Sequence, residues 1–382
     1  MNGILTTTIS VAILLLVSGC RRGSPLSPKA GSSSNRIDAA QLDKLRGKAK
    51  SGDPATQFNL GLMYARGHGV PQNYPEAAAW FRKAAEKGDS RAQAALGAMF
   101  ANGEGVKQSF TESVRWFRMA AERDNGDAQA NLGALYAHGQ GVARDYATAR
   151  SWFLKAAEKG DAYSQTSLGT LYSRGLGVPQ DRGEGLSWYR KAAEQDFSDA
   201  QYFLGLAWDK ADGVPQDYVE AVKWYRRAAE QNHAGAQTQL GQLYADGHGV
   251  PQNFEEAVRW YQRAVEQDYP PAHCALGVMY EKGHGVTQNW TDAIASYRKA
   301  AEQGYAEAQI RLGICYEEGF GMKSDPLEAY KWYNLAAARQ SQRAAEFRDA
   351  LAQRLTRAQL AEAQRRAVQF VPKNSFALAG SF

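Results

Sequence analysis

The pair Leu60-Gly61 returns every 36 residues, with its glycine at Gly61, Gly97, Gly133, Gly169, Gly205, Gly241, Gly277 and Gly313. A fixed period of this length describes a stack of small equivalent units, each touching mainly its neighbours, rather than one enzyme domain around a single core. It moves the expected function from catalysis toward binding before any motif is considered.

Other columns hold the same register. Gln57, Leu60, Gly61 and Tyr64 fall on one helical stripe, and Ala77, Trp80, Phe81 and Ala84 on another. Trp80 repeats as Trp116, Trp152, Trp188, Trp224, Trp260 and Trp332, with Ser296 breaking the column. Between the stripes lies a turn such as Gly67-His68-Gly69-Val70, so the unit reads helix, glycine turn, helix. The second helix opens on a short acceptor with an acid three residues on: Asn73 with Glu76, Ser109 with Glu112, Asp181 with Glu184, Asp217 with Glu220, Asn253 with Glu256, Asn289 with Asp292 and Asp325 with Glu328. That pattern predicts an N-cap with the acid reaching back, weakened at Asp145 and Thr148. A glycine within a helix costs roughly 1 kcal/mol against alanine. Its repetition predicts that Trp80 or Phe81 and their equivalents seat against a backbone that lacks Cβ.

These columns resemble the Sel1-like repeat of the tetratricopeptide superfamily. The matching string is Ala55-x-Gln57-x-x-Leu60-Gly61-x-x-Tyr64-x-x-Gly67-x-Gly69-Val70, then Ala77-x-x-Trp80-Phe81-x-Lys83-Ala84-Ala85-Glu86. Ala211, His273 and Ser296 depart from it. The resemblance implies an all-α fold: a right-handed α-solenoid of eight 36-residue helix-turn-helix repeats with helical caps. It also implies a scaffold for other proteins, often in bacterial envelopes.

The organisation expected is a lipoprotein signal peptide at 1–20, a flexible tether at 21–37, a capping helix at 38–52, repeats over 53–340, capping helices at 341–371 and a tail at 372–382. The apolar run Ile9 to Val17 is shorter than the ~20 residues that span a bilayer. Val17-Ser18-Gly19-Cys20 looks like a bacterial lipoprotein processing site, with Cys20 as the lipidated residue, although no Lys or Arg precedes the apolar run. Arg21 rather than Asp follows, which by resemblance to Gram-negative lipoproteins implies the outer membrane, facing the periplasm. Residues 343–367 are alanine-rich and amphipathic, with a second helix start at Thr356, and read as a seal on the last repeat rather than as a nucleic-acid site.

A formal charge of +5 over 382 residues does not establish nucleic-acid binding, and none is expected. With Cys20 assigned to lipid, Cys274 and Cys315 remain, five positions out of phase on adjacent repeats. They read as buried thiols rather than a disulfide. Some Sel1-like proteins staple each repeat with a disulfide; this chain lacks that cysteine pattern. His68, His248 and His284 share the turn position; the last two lie in neighbouring repeats, but without recognised ligand spacing they read as solvated turn residues, and no metal is expected. The repeated Glu86 column, four residues after Arg82 and its equivalents, reads as surface ion pairs. Gly67-x-Gly69 lacks the Lys-Ser/Thr of a phosphate loop. No catalytic residue and no cofactor is expected.

Function should then lie where repeats differ. Positions 55, 59, 62 and 66 and their equivalents lie opposite the fixed stripe. By resemblance to tetratricopeptide arrays, the first helices line the concave surface. In repeats four to six this face offers Tyr163, Ser167, Thr170, Arg174, Asp199, Phe203, Leu206, Lys210, Gln239, Gln242 and Asp246, a mixture suited to a protein or peptide segment. Repeats one to three offer a smoother surface of Ala95, Ala98, Asn131 and Ala134. The second helices present a basic outer face that includes Arg82, Lys83, Arg118, Arg226 and Arg298. Its ordinary reading is a solvated convex surface; the sharper one is contact with anionic lipid or acidic cell-wall polymer. The expected function is a non-catalytic interaction scaffold in the cell envelope, attached to the membrane through its lipidated N-terminus. The alternatives are a wall-active or β-lactam-hydrolysing enzyme, for which no nucleophile motif is present, and a peptidoglycan or carbohydrate binder marked by exposed aromatics.

Overall fold

The computed structural model describes residues 39–371, which form nineteen α-helices and, among the described residues, no strand. The expected signal peptide, tether, Cys20 and C-terminal tail lie outside the described residues. The chain divides into two compact units, the first ending at Ala192 and the second beginning at Ala193, within the helix Arg182–Glu194.

In the first unit the helix Ala39–Lys50 precedes the pairs Pro54–Arg66 with Tyr74–Glu86, Ser90–Asn102 with Phe110–Ala121, and Gly126–His138 with Tyr146–Glu158; Ala162–Arg174 follows. The second unit holds Ser198–Lys210 with Tyr218–Glu230, Ala234–Asp246 with Phe254–Val265, Pro270–Lys282 with Trp290–Glu302, and Ala306–Glu318 with Pro326–Ala337. Gln342–Ala352 and Arg357–Gln369 close it, both packing on Pro326–Ala337.

The glycine column decides how the two helices of a repeat meet. A Cβ at Gly61 would stand 2.6 Å from the Phe81 ring, one at Gly97 2.9 Å from Phe117, and one at Gly241 2.7 Å from Tyr261. Of the two aromatic columns, then, the Phe81 column takes this seat. Its members Phe81, Phe117, Phe153, Tyr225, Tyr261, Tyr297 and Tyr333 are among the largest fully buried side chains. The Trp80 column lies nearer the surface under a cation: Lys83 Nζ is 4.2 Å from the Trp80 ring, Lys191 3.9 Å from Trp188 and Arg263 4.6 Å from Trp260.

A second buried column joins one repeat to the next. The Nε2 groups of Gln57, Gln93, Gln129, Gln165, Gln201, Gln237 and Gln309 each donate, at 2.9–3.2 Å, to an alanine carbonyl eight residues earlier. From Gln93 onward those carbonyls belong to the last turn of a second helix, and each also accepts the backbone N–H three residues on, so the glutamine takes the second lone pair. His273, which replaces the glutamine, approaches Asp268 Oδ1 at 3.0 Å instead.

The predicted N-caps form. Asn73, Ser109, Asp217, Asn253, Asn289 and Asp325 each accept a first-turn backbone N–H, and so does Asp145, where the pattern weakens. The acid three residues on reaches back in one repeat, where Asp292 accepts from Asn289 Nδ2 at 2.7 Å, and takes another partner in others. Glu76 accepts from Trp80 Nε1, Glu220 pairs with Lys223 and Glu256 with Arg259. One helical turn along the surface brings a base or an indole N–H nearer than the cap backbone. The reciprocal capping box is made at Thr356 and Gln359.

Each first helix of the eight repeats ends on a left-handed residue, glycine in seven and Ala211 at φ 56° in the other. Ala211→Gly should therefore raise the stability of the second unit by about 1 kcal/mol, by removing the left-handed penalty. Gly241→Ala tests the ring seat. An exposed helical glycine would gain about 1 kcal/mol from alanine, whereas here the ring must move and the expected loss is about 1–3 kcal/mol. Urea melts of both variants give the signs.

Candidate partner-binding face

The fixed columns are occupied by packing, so the variable positions of the first helices remain as the candidate face. The structure treats them differently in the two units.

In the first unit, Tyr163 is half-buried and Arg174 exposed, but Ser167 and Thr170 are buried. This corrects the expectation that they offer hydroxyls to a partner. Ser167 Oγ donates to Tyr163 O at 2.9 Å, Thr170 Oγ1 donates to Thr166 O at 3.2 Å, and Thr170 Oγ1 lies 3.0 Å from the Tyr189 hydroxyl. A hydroxyl on a helix closes readily on the carbonyl four residues back. The expected smooth surface of Ala95, Ala98, Asn131 and Ala134 is likewise buried, with Ala98 at 0 % exposure.

In the second unit, Lys210, Gln242 and Asp246 are exposed, and Asp199, Phe203, Leu206 and Gln239 half-buried. Much of the polarity is paired internally. Lys210 Nζ lies 3.1 Å from Asp209, Gln242 Nε2 donates to Asp246 at 2.7 Å, and Asp199 lies 3.5 Å from His233 Nε2. The columns of Phe203 and Leu206 continue through Ala275, Val278, Arg311 and Ile314, all half-buried, in repeats seven and eight. Repeats seven and eight thus extend the face beyond the positions expected from the sequence, in the same register.

A polar pairing inside the repeat likewise lies beyond the positions expected from the sequence. The buried ring is Phe81, Phe117 and Phe153 in repeats one to three, and the residue sixteen earlier is Ala65, Ala101 or Ala137. Where the ring is a tyrosine, that residue is often an acid. Tyr225 donates to Asp209 at 3.2 Å, Tyr297 donates to Glu281, and Tyr333 donates to Glu317 at 3.0 Å. Tyr261, with Ala245 at that place, donates to Gln242 Oε1 at 3.3 Å. A buried phenol requires an acceptor, and the repeats vary in step to provide one.

The remaining sequence candidates resolve into packing. Arg118 and Arg226 reach the hydroxyls of Tyr136 and Tyr244 at 2.6 Å, instead of pairing with the glutamate four residues on as expected, and Arg298 reaches the Tyr316 hydroxyl at 2.9 Å. A tyrosine on the adjoining helix is in reach, and the Arg-before-Glu order on one helix is the weaker orientation. In the C-terminal helices Arg354 pairs with Glu317, Arg366 with Asp325, Glu328 and Glu362, and Arg365 with Glu362. His248 stacks on Tyr218 and His284 on Phe254, each with an aromatic of the preceding repeat. Among the described residues no group of three or more His, Cys, Asp and Glu could hold a metal ion, and no helix is long and apolar enough to cross a membrane. Cys274 and Cys315 are free and buried. Burial pushes their thiols up to about 12 and about 11. Burial and the neighbouring carboxylates also raise the phenols of Tyr225 and Tyr333 above their ordinary range.

The Sel1 repeat model matches eight consecutive segments, 54–89, 90–125, 126–161, 162–197, 198–233, 234–269, 270–305 and 306–341. The chain belongs to the Sel1 repeat family, and its fold is an all-α solenoid of eight such repeats. Arrays of this family are generally scaffolds for protein interaction, and the fold is typically non-catalytic. A Sel1 repeat protein from Oxalobacter formigenes is 30% identical, covering 86% of this chain and 98% of its own, with a TM-score of 0.62. A protective antigen of uropathogenic Escherichia coli with an SLR fold is 32% identical over 87% of each chain, with a TM-score of 0.41. The immunity protein Pa5087 of Pseudomonas aeruginosa is 24% identical over 56% of this chain and 81% of its own, with a TM-score of 0.40. No curated protein matches the sequence.

The raised thiols and phenols fix a direction of pH dependence. The unfolded chain loses these protons above about pH 9–10 while the folded chain keeps them, so stability present at neutral pH falls as pH rises through this window. Urea midpoints measured from pH 8 to 11 should decline, and Cys274 and Cys315 should resist a thiol reagent until the protein unfolds.

Proposed function

We propose that this chain is a non-catalytic protein-interaction scaffold of the bacterial cell envelope, held to the membrane by a lipid on Cys20 and binding a protein or peptide segment along the first helices of its second unit. The observation that carries the binding site is the set of half-buried apolar side chains Phe203, Leu206, Val278 and Ile314, which rest on the core with one side and keep part of their surface accessible. Apolar side chains at the centre of a face, with charges around them already paired, are the arrangement of a contact whose affinity comes from desolvation. Support for attachment comes from the sequence: the apolar run Ile9 to Val17 ends in Val17-Ser18-Gly19-Cys20, and Arg21 favours the outer membrane facing the periplasm.

A photoreactive residue at Phe203, with one at exposed Arg259 on a second helix as control, tests the site in cells. A protein adduct from Phe203 and none from Arg259 is expected; no protein adduct at Phe203, or the same adducts from both, refutes the site. Cys20→Ser should move the protein from the membrane to the soluble envelope fraction, and a variant that stays membrane-bound refutes the anchor.

A further inference from the structure

One turn position carries a stacked ring in each of repeats six to eight. It follows the left-handed residue that ends the first helix and holds His68 in repeat one, Glu104, Gln140, Leu176 and Asp212 in repeats two to five, then His248, His284 and Phe320 in repeats six to eight. Each of these last three rings stacks on the first residue of the preceding repeat's second helix. His248 lies over Tyr218 at 4.5 Å, His284 over Phe254 at 4.3 Å and Phe320 over Trp290 at 4.9 Å, with planes within 21–26° of parallel.

The fold does not require rings here. The close contact between turn and helix start is made by the next residue, a glycine: a Cβ at Gly285 would stand 2.5 Å from Phe254 O. Repeats two to five complete the same turn with an acid, an amide or leucine at the position before it. Phe320 is 42% exposed, His248 is exposed and His284 half-buried.

The chemistry around the rings selects a ligand. The turns 247–253 and 283–289 contain no Lys, Arg, Asp or Glu, and Gln252, Asn253, Gln288 and Asn289 lie along them, exposed; the turn of Phe320 carries exposed Lys323 and the N-cap Asp325. A single lysine, Lys323, is no basic cluster for an anionic bilayer, and two of the three turns hold no charge for a charged peptide to pair with. Flat rings of mixed apolar and polar character, repeated once per unit and flanked by amides, suit an uncharged polymer of rings with apolar faces and hydroxyl edges. We propose that the turn edge of repeats six to eight is a binding strip for a neutral glycan chain, with His248, His284 and Phe320 as successive stacking platforms. This strip is separate from the partner-binding face above.

The test is calorimetric titration of the full chain with a hexamer of N-acetylglucosamine and a hexamer of glucose. The variants His284→Gln and Phe320→Glu each install a residue that the same column already carries, as Gln140 and Glu104. Saturable binding that each variant weakens about tenfold, with unchanged thermal melts, is expected. Binding of only the first sugar assigns an N-acetylated glycan, and binding of both a broader one. No binding of either sugar, or binding that both variants leave intact, overturns the proposal. Loss of both sugars together with Phe320-dependent sedimentation on phosphatidylglycerol vesicles would replace the glycan by a membrane.

Discussion

The seat of an aromatic ring on a backbone without Cβ is the contact on which the rest of this fold depends. Leu60, Gly61 and Phe81, with their equivalents, bring two short helices nearer than any side chain at the glycine position would allow. Helices of twelve or thirteen residues are marginal alone and draw their stability from such packing. The glycine lowers helix propensity locally, and its recurrence in eight repeats shows that the ring contact outweighs that loss.

The joint between repeats is built on a directional amide, where the joint within a repeat is built on a ring against a bare backbone. Seven buried glutamines donate to alanine carbonyls eight residues earlier. Further amides and cations extend some of these joints: Gln231 donates to Gln201, Gln267 to Gln237 and Lys159 to Gln129. A directional hydrogen bond fixes the placement of one repeat on the next in a way that non-directional apolar contact does not. Variation is therefore admitted at positions that neither joint uses, such as the columns of Phe203 and Leu206 and the turn position of Phe320.

The repeats serve as their own comparison set. Phenylalanine rings accompany alanine at the place sixteen residues earlier, and tyrosine rings accompany Asp209, Glu281 or Glu317 in repeats five, seven and eight. Repeats one to three are plain at this place, and from repeat four on the ring carries a hydroxyl that pairs, Tyr189 with Thr170 among them. That difference was open to a reader of the sequence who compared repeats with one another, because a phenol taken out of water must find an acceptor.

The sequence by itself determined the repeat, the helix pair and their caps, since a 36-residue period, helical spacing and short acceptors before a helix are local properties that survive without coordinates. It also determined that Cys274 and Cys315 are out of phase. Only the tertiary structure decided which aromatic column meets the glycine, because Trp80 and Phe81 are neighbours on one helix and either could point inward. The same holds for exposure: Thr170 and Gln242 occupy equivalent positions, yet one is buried and the other exposed. Sequence spacing sets the face a residue occupies, but the access of water to that face depends on what packs beside it.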